Sequence, residues 1–407
     1  MSIKMRIFKP RENKETVCFV FRSHGKLAGT ERVILNWCRF IDYKKINIVI
    51  CTTKGSFWEV FREKAPYVEL IDIVSSSAKT DRYHFFSYFI FFRKLKVTKV
   101  VWIFNGMNSF SFLSLLAGFI ATRGRIYISH HIMPPILGKA KSRLWFGFIR
   151  GIGLSRKKVL FLPYVKHVLA RNILAVSKDV KRCLEADWRI PANRIFLGGR
   201  GVDRNEFYAD FTAKESLREE FSLRESERIV VAANRVYKTK RIDRLLGAFL
   251  LLLREHPNCY LLIAGDGELK DFYMKRAERN RLLCNRVKFL GFREDVNRLI
   301  QGSDLLLLAS DKEGQSNVIK EAMACGTIPV ATDSPGSKEI SDNIFVSKKN
   351  VFDFYRTIIF VLSFPEKKLA EIRTRIVYEV KENYDLNECC QRELFIFDLP
   401  CRKVANG

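Results

Sequence analysis

The sequence predicts an α/β protein built from two doubly wound, Rossmann-like domains facing each other across a cleft. Three observations carry that prediction. The chain has 407 residues, which suits two or three domains better than one core. Short, continuously apolar runs alternate with amphipathic helical stretches, the pattern of parallel strands covered on both faces. The alternation also restarts after the stretch 193–207, so a second series of the same kind follows the first.

Taken in order, VCFVF (17–21) is the first strand, followed by the helix-like GTERVILNWCRFI (29–41) and the strand INIVICTT (46–53). KVVWIF (99–104), GRIYISH (124–130) and ILAVS (173–177) continue the series. In the second half RIVVAANR (228–235), CYLLIAGDG (259–267), RVKFLGF (286–292), SDLLLLAS (303–310) and TIPVAT (327–332) are strands. The charged stretch between the two series, 208–228, reads as a linker region. The expected domains are 1–205, which is basic, and 206–380. The helix-like NECCQRELFIF (387–397), within 381–407, is expected to return to the first domain.

Composition narrows the class. The chain is 47% hydrophobic and 28% charged, a globular balance rather than a disordered one. The start of the chain has no apolar segment of the kind a signal peptide needs. The apolar runs FFSYFIFF (85–92) and LLGAFLLLL (245–253) fall well short of the ~20 residues that span a membrane. The ten cysteines form no C-x-x-C pair, and several sit in apolar runs, so reduced, buried thiols in a cytoplasmic protein are expected.

The net charge is +27, and it is unevenly spread. From Arg82 to Lys178, 97 residues contain no acid and 17 Lys and Arg. Such a one-signed field calls for an anionic partner. Basic residues interleaved with Trp, Phe, Leu and Ile, as in KAKSRLWFGFIRGIGLSRKK (139–158), suit a membrane surface more than a nucleic acid. No nucleic-acid-binding motif accompanies the charge, so an anionic membrane surface is the expected partner and nucleic acid is not.

Ligands of open α/β sheets sit outside the carboxyl ends of the strands. There, after SDLLLLAS, the chain reads DKEGQSN and then enters the helix VIKEAMACG. Glu313 lies ahead of that helix and Glu321 inside it. Ser316 and Asn317 are good N-cap types, and Gly314 permits close backbone approach. Amides at a helix start, at its positive dipole end, form an anion site. A carboxylate beside such a site suits sugar or ribose hydroxyls, although each glutamate alone reads equally as a surface acid. Arg235 and Lys240, after the strand that ends at Asn234, can clamp a diphosphate. Lys238, Arg241 and Arg244 in the same segment favour the alternative, a solvated basic turn. Ala28 and Gly29 lie between the first strand and its helix, where small residues admit a ligand. His130 and His131 end a strand of the first domain.

These segments together resemble a retaining glycosyltransferase of family 4 (glycosyl transferases group 1), which has the GT-B fold. EGQSNVIKEAMACG (313–326) resembles the family's E-x7-E segment and NRVYKTKRIDRLL (234–246) its Arg and Lys clamp segment. LLIAGDGELKD, VKFLGF, AVSKDV, RGVDRNEF and AGTERVILN fall in the family's order. The resemblance implies that Glu313 contacts the donor sugar and Glu321 the nucleotide ribose. The amides from Gln315 through Ser316 and Asn317 to Val318, with Arg235 and Lys240, would hold the diphosphate. His131 would lie beside the reacting sugar, His130 being the weaker candidate for that place. The chain departs from the family's pattern at Ala28, Asn234 and Arg241, each in place of a glycine, at Gln315, where an apolar residue is common, and at Arg200, in place of an asparagine.

The implied reaction moves a hexosyl or N-acetylhexosaminyl group from a nucleotide diphosphate sugar, with retention and without a metal, since no D-x-D occurs. The charge adds a lipid-linked or lipopolysaccharide-type acceptor in cell-surface polysaccharide biosynthesis, and a peripheral place on the inner face of the membrane. A nucleotide-sugar epimerase of GT-B-like fold and a basic nucleic-acid-binding protein are the competing readings.

Overall fold

A computed structural model of the chain describes residues 14–21, 23, 29–52, 55–72, 81–104, 112–131, 167, 169–210 and 212–402. They form two compact units, Met1–Arg200 with Asn387–Gly407, and Gly201–Leu386.

The first unit holds seven parallel strands, β1 (Glu15–Val20), β2 (Ile46–Thr52), β3 (Val68–Asp72), β4 (Val97–Phe104), β5 (Ile126–His130), β6 (Asn172–Ala175) and β7 (Ile195–Leu197), in the order β3-β2-β1-β4-β5-β6-β7. All residues of β2 and β5 are buried, which is why these strands read as unbroken apolar runs. The order reverses at β1, which pairs with β2 on one side and β4 on the other. That reversal is the switch point of a doubly wound sheet, and ligands bind at its carboxyl edge.

The second unit repeats the plan with six strands, β8 (Arg228–Ala233), β9 (Cys259–Ala264), β10 (Val287–Gly291), β11 (Leu305–Leu308), β12 (Ile328–Thr332) and β13 (Phe345–Ser347), in the order β10-β9-β8-β11-β12-β13. Here the switch point lies between β8, which pairs with β9, and β11. The helix Ile242–Glu255 buries Leu245, Ala248, Phe249 and Leu252 against this sheet's core, an i, i+3, i+4, i+7 stripe.

Two expectations are corrected. The stretch 208–228 is not a linker, because it contains the helix Ala213–Phe221, whose Leu217 lies in the core of the second unit. The chain passes between units instead at Arg200/Gly201 and Leu386/Asn387, against the expected 205/206 and 380/381.

The returning segment is tied into the first unit by polar bonds. Asn172 Nδ2 donates to Ile396 O at 2.7 Å, and Lys99 Nζ reaches Asp398 Oδ2 and Glu15 Oε2 at 3.2 Å each. All ten cysteines are free, and all but Cys284 and Cys401 are buried. Among the described residues no helix is long and apolar enough to cross a membrane. The basic, aromatic segment 139–158 lies outside the described residues.

Candidate functional site

At the carboxyl end of β11 the loop Asp311–Ser316 leads into the helix Asn317–Ala324, so Glu313 precedes the helix and Glu321 lies within it. Beside it, after β8, come Arg235 and a short 3-10 turn, Lys238–Lys240. The two loops are fastened to each other: Asp311 N donates to Thr239 O at 2.9 Å. Lys240 Nζ then lies 2.6 Å from Glu313 Oε1, with both side chains largely shielded from solvent. The two residues chosen from separate motifs are therefore direct partners at the switch point of the sheet.

Arg241 and Arg244 correct the reading of this turn as merely solvated. Arg244 is 3% exposed and donates to Ala309 O at 2.6 Å and to Asp311 Oδ1 at 2.8 Å. Arg241 donates to both Asp243 and Asp311. Burial alone would raise the Asp311 carboxyl, but its bonds to Arg244 and Arg241 outweigh that and hold it below the ordinary value. These arginines brace the loop that carries Glu313. That leaves Arg235, exposed and 5.2 Å from the Tyr237 ring, and Lys240 as the candidate cations of this turn.

Ser316 occupies the N-cap position of the helix, yet its side chain makes no capping bond to the first-turn amides, contrary to what its residue type suggests. Gly314, Gln315 and Ser316 are buried, and Asn317, Val318 and Glu321 are half-buried. Gln315 Oε1 accepts from Lys320 Nζ at 3.0 Å, and that fully buried ammonium also sits 5.1 Å from the Tyr384 ring. Asn234 and Asn317 each carry a buried side-chain oxygen with no hydrogen-bond partner among the described residues. Buried polar atoms of this kind are uncommon unless a ligand or water meets them.

Two glycines set the backbone here. Gly336 has φ +77°, and a Cβ on it would collide with the Gly314 carbonyl oxygen. Gly265, φ +146°, is pressed in the same way against the Asn234 carbonyl oxygen. Both glycine loops thus support the site loops from behind by close backbone contact.

In the first unit, Gly29 is exposed and opens the helix Gly29–Phe40, with open space where its Cβ would be, while Ala28 lies outside the described residues. His130 and His131, at the end of β5, diverge. His130 Nε2 meets His167 Nε2 at 2.7 Å, with Phe104 stacked on both rings, so His130 has a structural partner. His131 is 3% exposed and neither ring nitrogen has a partner among the described residues. Burial, then the positive charge of Arg200, then His130 hold its imidazole well below the ordinary value, so the ring is neutral. Arg200 Nη2 donates to His131 O at 3.3 Å. Sequence reasoning marked Arg200 as a departure but not as a neighbour of His131.

A buried neutral imidazole with two unbonded nitrogens can accept or donate one proton to a ligand. The second-unit cluster can hold a polyanion and a polyol side by side. Among the described residues, no group of three or more His, Cys, Asp or Glu could hold a metal ion.

Residues 213–379, less than half of the chain, match the sequence model of the family described as Glycosyl transferases group 1. The chain is 34% identical over 138 residues to N-acetyl-alpha-D-glucosaminyl L-malate synthase of Bacillus anthracis, covering 34% of this chain and 35% of that protein. It is 31% identical over 157 residues to the Campylobacter jejuni N,N'-diacetylbacillosaminyl-diphospho-undecaprenol alpha-1,3-N-acetylgalactosaminyltransferase, covering 38% and 40% of the two chains. These matches span well under two thirds of either relative. The solved structure of Anabaena HepE in complex with UDP and glucose covers 94% of this chain and 99% of its own, with TM-score 0.74 and 18% identity, a likeness of fold.

Proposed function

We propose, for a chain whose second domain belongs to the glycosyl transferases group 1 and whose fold is GT-B, that the protein is a retaining glycosyltransferase. It moves a hexosyl or N-acetylhexosaminyl group from a nucleoside diphosphate sugar to a lipid-linked or lipopolysaccharide-type acceptor. The observation that carries the proposal is the Lys240–Glu313 pair at the β8/β11 switch point, beside the start of the helix Asn317–Ala324.

In this reading the diphosphate lies on the amides from Gln315 to Val318, and Lys240 and Arg235 meet its charge. Glu313 accepts from sugar hydroxyls and Glu321 from the ribose. As the bond to the anomeric carbon breaks, negative charge grows on the leaving diphosphate, where two cations and a helix dipole stabilise it. The acceptor oxygen attacks from the face the diphosphate leaves, and a phosphate oxygen takes its proton. His131, whose ring has no partner among the described residues, is assigned to the reacting sugar. Because the cations supply the charge stabilisation, the mechanism needs no metal.

The acceptor reading rests on the acid-free stretch from Arg82 to Lys178, which we assign to the anionic inner face of the membrane. It is in keeping with the Campylobacter relative, whose name specifies a diphospho-undecaprenol. The test is a panel of nucleoside diphosphate sugars given to the full-length protein, with lipid-linked acceptors in anionic or neutral vesicles. One donor should yield free nucleoside diphosphate and a product of unchanged anomeric configuration, faster with anionic vesicles. An inverted product would remove the retaining mechanism, and equal rates in both vesicles would remove the membrane assignment. A free sugar isomer formed without acceptor would replace transferase by epimerase.

A further inference from the structure

His131 has an unusual problem for a residue meant to meet a substrate: among the described residues, nothing bonds to its ring. Its peptide is well held, with N donating to Phe104 O at 2.9 Å and O accepting from Arg200. The imidazole itself has no hydrogen bond among the described residues, and the torsion that turns such a ring is broad. Among the described residues, packing alone sets its direction, and the ring it meets is Trp37, edge-on at 5.9 Å and 74°.

Trp37 is in turn held by two further rings and a hydrogen bond. It is fully buried, stacked on Phe19 at 5.9 Å and met edge-on by Phe397 at 5.2 Å. Its indole Nε1 donates to Glu393 Oε2 at 2.6 Å, a bond between residues 356 positions apart. Glu393 is 2% exposed, so this hydrogen bond lies in a dry setting, where it is stronger than in water. Trp37 lies on the helix Gly29–Phe40, and Glu393 on the returning helix Leu386–Ile396.

We propose that Trp37, locked in place by Glu393, is the positioning residue that aims the ring of His131. The proposal rests on the assignment of His131 to the reacting sugar. It gives the last segment of the chain a part in the reaction geometry, although that segment contributes no group to the substrate. A buried carboxylate could instead serve stability alone, and the two roles differ in what they move.

The experiment uses full-length protein with labelled histidine and follows the ring C–H signals of His131, assigned through His131→Gln, alongside donor turnover. Trp37→Phe removes the donor to Glu393, and Glu393→Leu removes the acceptor. Both should shift or broaden the His131 signals and lower kcat about tenfold or more, as small misplacements of reacting groups do. The donor KM should stay within about twofold, because ground-state binding is untouched. Asn172→Ala cuts another tie of the returning segment, its bond to Ile396 O, and should leave His131 and kcat unchanged. If Trp37→Phe and Glu393→Leu do not fold, Glu393→Gln keeps a neutral acceptor of the same shape and should move the signals less, in the same direction. Unmoved His131 signals in the folded variants, or equal movement in Asn172→Ala, would overturn the proposal. The signals need no turnover, so a wild-type protein inert toward every donor would count against the transferase and not against this positioning.

Discussion

Arg241 stands where the family resemblance has a glycine, and its backbone shows why a glycine would fit: φ is 53°, in the left-handed region. That conformation costs a side-chain-bearing residue roughly 1–2 kcal/mol. Bonds to Asp243 and Asp311 offset the cost and fasten the loop that carries Glu313. Glu313 and Lys240 stood out as candidates in their motifs, but their pairing was not legible, since 73 positions separate them. Nor could residue type tell the buried Arg244 from the exposed Lys238, because both fall in one basic segment. The histidines at the end of β5 make a prediction at this scale. Burial, with the charge of His167 beside His130 and those of Arg200 and His130 beside His131, depresses both imidazoles in the folded protein below the ordinary 6.5. The unfolded chain then binds protons that the folded chain refuses, so this stability is present above about pH 6.5 and is lost as pH falls below it. Each such group contributes up to about 1.4 kcal/mol per pH unit in that range. Urea unfolding at pH 7.5 and 5.5 should show a smaller loss in His131→Gln than in the wild type. Equal losses would mean that His131 is not held neutral.

At the scale of elements, the central strands were readable from sequence and three edge strands were not. β3, β7 and β13 each close an edge of a sheet. β7 and β13 have only three residues, and β3 carries Glu69 and Asp72 among its five. Edge strands need no two-sided apolar run and are commonly short or charged. The linker error has a related cause: the helix Ala213–Phe221 buries little beyond Ala213 and Leu217, so its sequence looks like solvated chain. The site loop depends on its glycine support. Gly336→Ala would meet the Gly314 carbonyl at a φ of +77°, and neither backbone can yield without moving the loop. The expected result is a loss of at least about 1 kcal/mol in chemical denaturation, with weakened binding of the donor nucleotide in a titration. Unchanged nucleotide binding would show that the loop from Gly314 does not hold the ligand.

Across the whole molecule, two units of the same doubly wound plan divide the candidate residues. The candidate cluster around Lys240 and Glu313 lies in the second, and His131 and Gly29 in the first. The last segment belongs to the first unit, through bonds such as those of Glu393 and Asn172. The net charge of +27 has its acid-free stretch in the first unit as well. The central claim, that the β8/β11 switch point binds and activates a sugar donor, is tested most directly by turnover of that donor in Lys240→Ala and Glu313→Ala. Each should fall at least about tenfold, roughly 1.4 kcal/mol of barrier, with circular dichroism and thermal unfolding showing a folded protein. Wild-type rates in both folded variants would contradict the account.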